Sequence, residues 1–299
     1  MSRFMPALVC AVSTIAAAQP LTAAQSFELE RLSLNASASA SLATSTGDGL
    51  EAGRFRLSLL GHYQHEPLVV RRDTGERIAA IVGYRATTEL LAAWAPSEWL
   101  EVGLHLPVVV AQGGDDVSAL GLGSNVGAGL GTPSIYARSV FLRQAKGAPL
   151  DLSLQLGLGL PLGTGVAFVN DGQLSLSPRL GAGRAFGWFR IGAELSAEVR
   201  RPRTLGTQTL GHTLGAALTL STVGSALRGE LTGRTQFSVA PAATASADVL
   251  LGLRYAIGDF ELFALGGPGF GDAMGTPVFR ALGGLAWAPR FGTSTPSGR

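Results

Sequence analysis

The 299-residue chain is short of charge: Asp, Glu, Lys and Arg make up only 15% of it, against 46% hydrophobic residues. Soluble domains carry about 25% charged residues, so the ionic groups that a water-facing surface needs are missing. Long apolar runs are missing too. Past the N-terminus, Gly, Ser, Thr or a charge interrupts every apolar stretch, which excludes the roughly 20-residue spans of a helical membrane protein. Cysteine is nearly absent. The single one, Cys10, lies among the first two dozen residues, so neither a disulfide framework nor a cysteine metal site is available to a processed chain. Cys10 also comes too early for a lipid-modified cysteine. A net charge of +2 without a long basic cluster excludes nucleic acid as a partner. What is plentiful is glycine, 41 residues scattered along the chain rather than gathered in a linker. Together these features point to an all-β membrane protein.

Residues 1–24 have the form of a secretory signal peptide. Arg3 supplies the positive end, 6–18 a short apolar core, and Leu21-Thr22-Ala23-Ala24 the cleavage region before Gln25. The mature chain is therefore expected to begin near Gln25, outside the cytoplasm.

The clearest strand is 150–160, where Leu150, Leu152, Leu154, Leu156, Leu158 and Leu160 alternate with Asp151, Ser153, Gln155, Gly157 and Gly159. A period of two puts leucine on one face and polar or bare residues on the other. One such strand fits a soluble sandwich or a membrane barrel equally well; the series discriminates. Similar alternation runs through 54–65, 78–94, 99–110, 133–142, 173–185, 189–199, 210–222, 227–237, 247–257, 260–267 and 278–287. That makes about twelve strands, most of about ten to thirteen residues, longer than soluble strands and long enough for tilted membrane crossing. The expected fold is an antiparallel transmembrane β-barrel over 53–290, with a tail at 291–299.

The connections alternate as well. Longer polar links (71–77, 111–131, 161–172, 201–209, 238–246, 268–276) take turns with tight ones (95–98, 144–148, 186–187, 223–225, 258–259). Outer-membrane barrels place short turns in the periplasm and long loops outside. Trp94, Trp99, Trp188 and Trp287 all fall at the tight-turn end, where a periplasmic aromatic girdle is expected, because indole rings favour the membrane interface. The last strand ends apolar and aromatic, as the barrel-assembly machinery is expected to prefer. The segment 25–52 is a periplasmic cap or a further strand.

Two stretches resemble the N-terminal barrels of OmpA-family outer-membrane proteins of myxobacterial type. One is Phe27-Glu28-Leu29-Glu30-Arg31-Leu32 with 61–69; the other is 99–112 with Gly113-Gly114-Asp115-Asp116 after it. The second also resembles outer-membrane transporter-like barrels. In that family a peptidoglycan-binding domain follows the barrel. Here the sequence ends about a dozen residues past the last strand, so the likeness implies the barrel half alone and puts peptidoglycan contact in doubt. The partners expected of such a barrel are outer-membrane lipid and lipopolysaccharide, in a Gram-negative cell.

Motifs for chemistry are thin. His62 and His65 lie three apart and so on opposite strand faces, against a shared metal. Asp115 and Asp116 sit in a Gly-rich loop and read as a solvated tip. No histidine meets a serine at i, i+2, so a protease- or lipase-type barrel enzyme lacks its catalytic constellation. No cofactor is expected. The informative surface is the inward face, where alternation places Arg54, Arg56, Arg85, Arg138, Arg179, Arg190, Arg200, Arg228, Arg234, Arg254 and Arg280 with Glu89, Glu101, Asp151, Glu194, Glu198, Glu230, Asp248 and Glu261. Arg190, Glu194, Glu198 and Arg200 on one strand, with Arg228, Glu230 and Arg234 two strands on, form the candidate lumen charge network. They line either a screened, weakly anion-preferring pore or a salt-bridged plug; a narrow or closed interior is favoured at this strand number. The expected role is structural, or porin-like passage of small solutes, without catalysis.

Overall fold

The computed structural model describes residues 27–72, 74, 76–116, 126–164, 167–205, 208–239 and 244–289; the expected signal peptide and C-terminal tail lie outside them. The strands are β1 (Phe55–Arg71), β2 (Arg77–Ser97), β3 (Leu100–Gly113), β4 (Gly127–Leu130), β5 (Ser134–Leu142), β6 (Asp151–Gly159), β7 (Ser175–Phe186), β8 (Phe189–Glu198), β9 (Arg203–Leu205), β10 (Gln208–Leu210), β11 (Thr213–Thr222), β12 (Leu227–Ser238), β13 (Ala245–Ile257), β14 (Phe260–Gly271) and β15 (Phe279–Trp287). Twelve of them pair antiparallel, each with its neighbour in the chain, and β1 closes on β15 from Leu57↔Trp287 to His65↔Phe279. The result is a closed up-and-down barrel. β4 extends the line of β5 along β3, and β9–β10 form a separate small hairpin.

The alternation in the sequence becomes the two sides of this wall. On β6, Leu156 and Leu158 face out while Asp151, Ser153 and Gln155 are buried inside. Leu195, Leu218 and Leu251 are each more than 60% exposed, whereas Arg85, Arg138 and Arg280 are 1% exposed or less. This inside-out distribution is unstable in water and suits a bilayer, where lipid covers the apolar face. Among the described residues no helix is long and apolar enough to cross a membrane.

The tight connections hold glycines in the left-handed region. Gly187 (φ 61°) and Gly258 (φ 61°) open two-residue hairpin turns between β7 and β8 and between β13 and β14, the geometry that matches strand twist. At this turn end Trp94, Trp99, Trp188 and Trp287 all project outward; Trp287 packs edge-on against Phe55 at 6.1 Å and Trp188 against Phe189 at 5.3 Å. Tyr63, Tyr84 and Phe279 form an outward aromatic band nearer the loop end. Tyr84 and Trp94 lie ten residues apart on β2, about 25 Å along the barrel axis for a tilted strand.

The N-terminal segment is neither an extra strand nor a cap outside the barrel. From Phe27 at the loop end to Leu50 at the turn end it runs down the lumen without strand structure, and most of it is buried. Gly53 (φ 75°) then turns it into β1, with Gly53 N–H donating to the Ala95 carbonyl at 2.7 Å.

Candidate functional site in the barrel lumen

An irregular chain inside a barrel cannot use a strand ladder for its backbone polar groups, and buried polar groups left unpaired are costly. The charged inward face supplies the missing partners. Carboxylates accept from the segment's N–H groups, one from the β6–β7 connection and three from the wall: Asp171 from Glu28 (2.9 Å), Glu230 from Leu42 (2.9 Å), Glu194 from Ser45 (2.6 Å) and Glu101 from Leu50 (2.9 Å). Wall arginines donate to its carbonyls: Arg234 to Arg31 (3.3 Å), Arg179 to Ser33 (3.1 Å), Arg228 to Ser39 (3.5 Å) and Arg190 to Thr46 (2.8 Å). Arg254 donates in the same way to Ala38, and Arg143 to Leu50 at 3.1 Å. Asn35 steadies the segment from within, through Nδ2 to the carbonyls of Ser41 (3.1 Å) and Thr44 (3.2 Å). Arg138 then clamps Asn35 Oδ1 at 2.6 Å.

Each residue of the candidate charge network therefore has a definite neighbour. Arg190 pairs with Asp151 at 2.7 Å, Glu194 with Arg179 at 2.9 Å, and Glu198 with Arg200 at 2.7 Å. Arg228 pairs with Glu261, Arg234 approaches Asp248 at 3.8 Å, and Glu230 binds Ser41 Oγ at 3.2 Å as well as Leu42. The structure does not bring the β8 group and the β12 group together. β11 stands between them, and its inward residues, such as Thr219 and Ser221, carry no charge. Both groups face the N-terminal segment instead.

Close fit accompanies the hydrogen bonds. Gly181, Gly183 and Gly192 lie side by side on the inner face of β7 and β8, under Ser45, Thr46 and Gly47. A methyl group on Gly181 would stand 2.6 Å from the Ser45 carbonyl oxygen and 2.9 Å from Gly47 N; one on Gly192 would stand 2.7 Å from Thr46 Cβ. Glycine is required here because one backbone rests on another. On the opposite wall the lumen is apolar: Leu60, Leu91, Leu250, Phe263, Leu265 and Leu282 enclose Leu32, Leu34, Ala36, Ala38 and Leu42 of the segment.

The loop end is shut by a second apolar cluster. Phe27 meets Phe168 edge-on at 5.2 Å, with Leu29, Leu68, Ile81 and Met274 around them. Phe168 belongs to the β6–β7 connection, which folds into the mouth. Arg85 donates to its carbonyl at 2.9 Å and Gln112 to that of Ala167 at 2.7 Å. A polar cavity of about 110 Å³ remains beside Ser33, His105 and Arg200.

Sequence reasoning did not anticipate the contact of His62 and His105 with one carboxylate, Glu89, at 3.0 and 2.9 Å. Register across β1, β2 and β3 creates it. Among the described residues no cluster of His, Cys, Asp and Glu has the geometry of a metal site. His65 is exposed and points away from His62. Asp115 is tied to the Ala80 N–H at 2.8 Å and to Arg77 at 3.3 Å, so it braces the start of β2.

No family model matches the chain, and no curated protein matches it. Solved structures do. An outer membrane channel from Pseudomonas putida F1 superposes with a TM-score of 0.63 at 13% identity, over 81% of this chain and 97% of that one. The β domain of a Bordetella autotransporter gives 0.43 at 14% identity, over 80% and 100% of the two chains. An anion-selective porin from Comamonas acidovorans gives 0.35 at 11%, over 79% and 98%. The first likeness, at that identity, defines the fold: a twelve-stranded β-barrel of the outer-membrane type.

Proposed function

We propose that this chain is an outer-membrane barrel whose lumen is a path for small solutes, held shut by its own N-terminal segment. The observation that carries the reading is the way residues 27–50 are held. They fill the lumen, yet side chains of the wall, not strand pairing, satisfy their backbone. Side-chain hydrogen bonds can be exchanged for water one at a time, so such a segment leaves without breaking the barrel ladder. The likeness to an outer membrane channel supports passage as the role. Exposed tryptophans and leucines support contact with lipid, and the alternation of turns and loops supports turns in the periplasm and loops outside. Export by a cleaved leader, insertion by the barrel-assembly machinery, lipopolysaccharide at the outer rim and kinship with OmpA-type barrels belong to the same proposal. No catalytic step is part of it.

Planar-bilayer conductance of the refolded mature chain, compared with a variant lacking 27–46, tests the reading. Low conductance that rises strongly on deletion supports it. Equal and negligible conductance in both, with the compact heat-modifiable gel band retained, identifies a permanently closed structural barrel instead.

A further inference from the structure

We propose that the vestibule at the turn end of the barrel is a binding site for a small oxyanion solute carrying two or more negative charges. The vestibule is an open cavity of about 790 Å³ lined by Arg54, Arg56 and Arg228, with Asp259 and Glu261 as its carboxylates. All belong to strand ends or turns of neighbouring strands, β12 to β15 and β1, so the barrel holds them together on one side of its rim.

The charges there do not balance. Glu261 takes Arg56 at 2.7 Å on one oxygen, Arg228 on the other, and Arg254 at 3.0 Å from behind. One carboxylate thus serves three guanidiniums, while Arg54 adds a fourth cation near the site and Asp259 the one further carboxylate of the lining. Glu230, the next carboxylate up the wall, is occupied by Leu42 N–H and Ser41 Oγ.

Clustered guanidiniums that outnumber their carboxylates in a partly desolvated pocket are the arrangement that binds phosphate or carboxylate groups, because the planar fork presents parallel N–H groups to two oxygens. The cluster is on the inner wall, where Arg56 and Glu261 are buried, so the ligand is a dissolved anion and not a lipid headgroup outside the barrel. The site is also wired to the segment in the lumen. Arg254 and Arg228 hold the carbonyls of Ala38 and Ser39, at a turn where Ala38 has φ 43°. Arg228 lines the vestibule, so an anion there competes with the Ser39 carbonyl for its guanidinium. The site itself is independent of whether the lumen conducts.

Calorimetric titration of the refolded full chain in detergent with inorganic pyrophosphate, in chloride buffer, tests the proposal. Saturable binding is expected. Glu261→Gln should tighten it, by freeing three guanidiniums, and the double variant Arg56→Gln with Arg228→Gln should weaken it by about tenfold or more for each guanidinium lost. The heat-modifiable band reports folding of each variant. If Glu261→Gln does not fold, Arg54→Gln, which leaves the three Glu261 pairs in place, gives a second arm and should weaken binding. The proposal is overturned if folded wild type shows no saturable pyrophosphate heat. It is equally overturned if folded arginine variants bind as wild type does.

Discussion

Putting side chains where β7 and β8 carry glycine should expel the N-terminal segment and leave the barrel intact. Gly181→Val with Gly192→Val forces Ser45, Thr46 and Gly47 off the wall, because the atoms in the way include backbone at 2.6 and 2.9 Å that no rotamer change can move. Two charge-assisted hydrogen bonds go with the displacement: Ser45 N–H to Glu194 at 2.6 Å and Arg190 to the Thr46 carbonyl at 2.8 Å. At about 1.5–3 kcal/mol each, docking loses about 3–6 kcal/mol as an upper limit. The lower figure already shifts the docked-to-undocked ratio by about a hundredfold. The strands themselves gain, since valine favours extended backbone where glycine does not. An outward control is Gly233→Val, where an added carbon meets nothing within 4 Å. The assay is maleimide labelling of Ala43→Cys, a position 0% exposed, together with the heat-modifiable gel band. Labelling should be slow in the parent and in the control, and fast in the double variant with its folded band intact. Equal labelling in all three would refute the claim that these glycines exist to receive the segment.

Other perturbations address other parts of the account. Leu154→Arg places a charge on the outward face of β6 and should cost about 2–4 kcal/mol at the bilayer midplane, read as a lower unfolding midpoint in urea with lipid vesicles; no change would remove Leu154 from the lipid face. Arg190→Ala with Arg228→Ala releases the carbonyls of Thr46 and Ser39 and strands Asp151. Conductance should rise and the folded band should lose heat resistance, since leaving a buried charge unpaired costs about 3–5 kcal/mol; unchanged conductance and stability would deny these arginines any role in the lumen. An epitope inserted beyond Arg72, in the β1–β2 connection, should be stained on intact cells, and one inserted after Gly187 only on opened cells. The reverse pattern would invert the proposed orientation.

The barrel was legible because lipid replaces a core on its outer side. Each strand must then alternate for its whole length, and the leucine comb of 150–160 records that directly. All twelve barrel strands overlap the alternating segments read from the sequence. β1 and β2 run on past the expected ends, through an irregularity after His65 where Glu66 takes φ 48°. The content of the lumen was harder to read. The Ala-Ser-Thr run of 36–46 has too weak a periodicity to announce a strand and too little bulk to announce a core. Apart from Leu42, which enters the apolar cluster, it has that composition because a space narrowed by inward arginines favours small side chains. A sign was present nonetheless. Leu60, Leu91, Leu250, Phe263 and Leu265 break the polar inward face of their strands, and inward leucines need an apolar companion inside the barrel. Some charge pairs follow strand register, as Arg234 opposite Asp248 and Arg138 opposite Glu101 do, but which wall charges turn to the backbone of the segment depends on where an irregular chain passes and was not readable.

The central claim is that Ser45 lies against the β6 wall in the closed barrel. Ser45 Oγ and Ser153 Oγ stand 3.4 Å apart, close enough for a disulfide between cysteines placed there. Ser45→Cys with Ser153→Cys, in a mature chain otherwise free of cysteine, should cross-link under mild oxidation. The oxidised protein should then stay non-conducting in planar bilayers under conditions where the reduced form opens. Failure to cross-link while both cysteines label freely with maleimide, or equal conductance in the oxidised and reduced forms, would contradict the account.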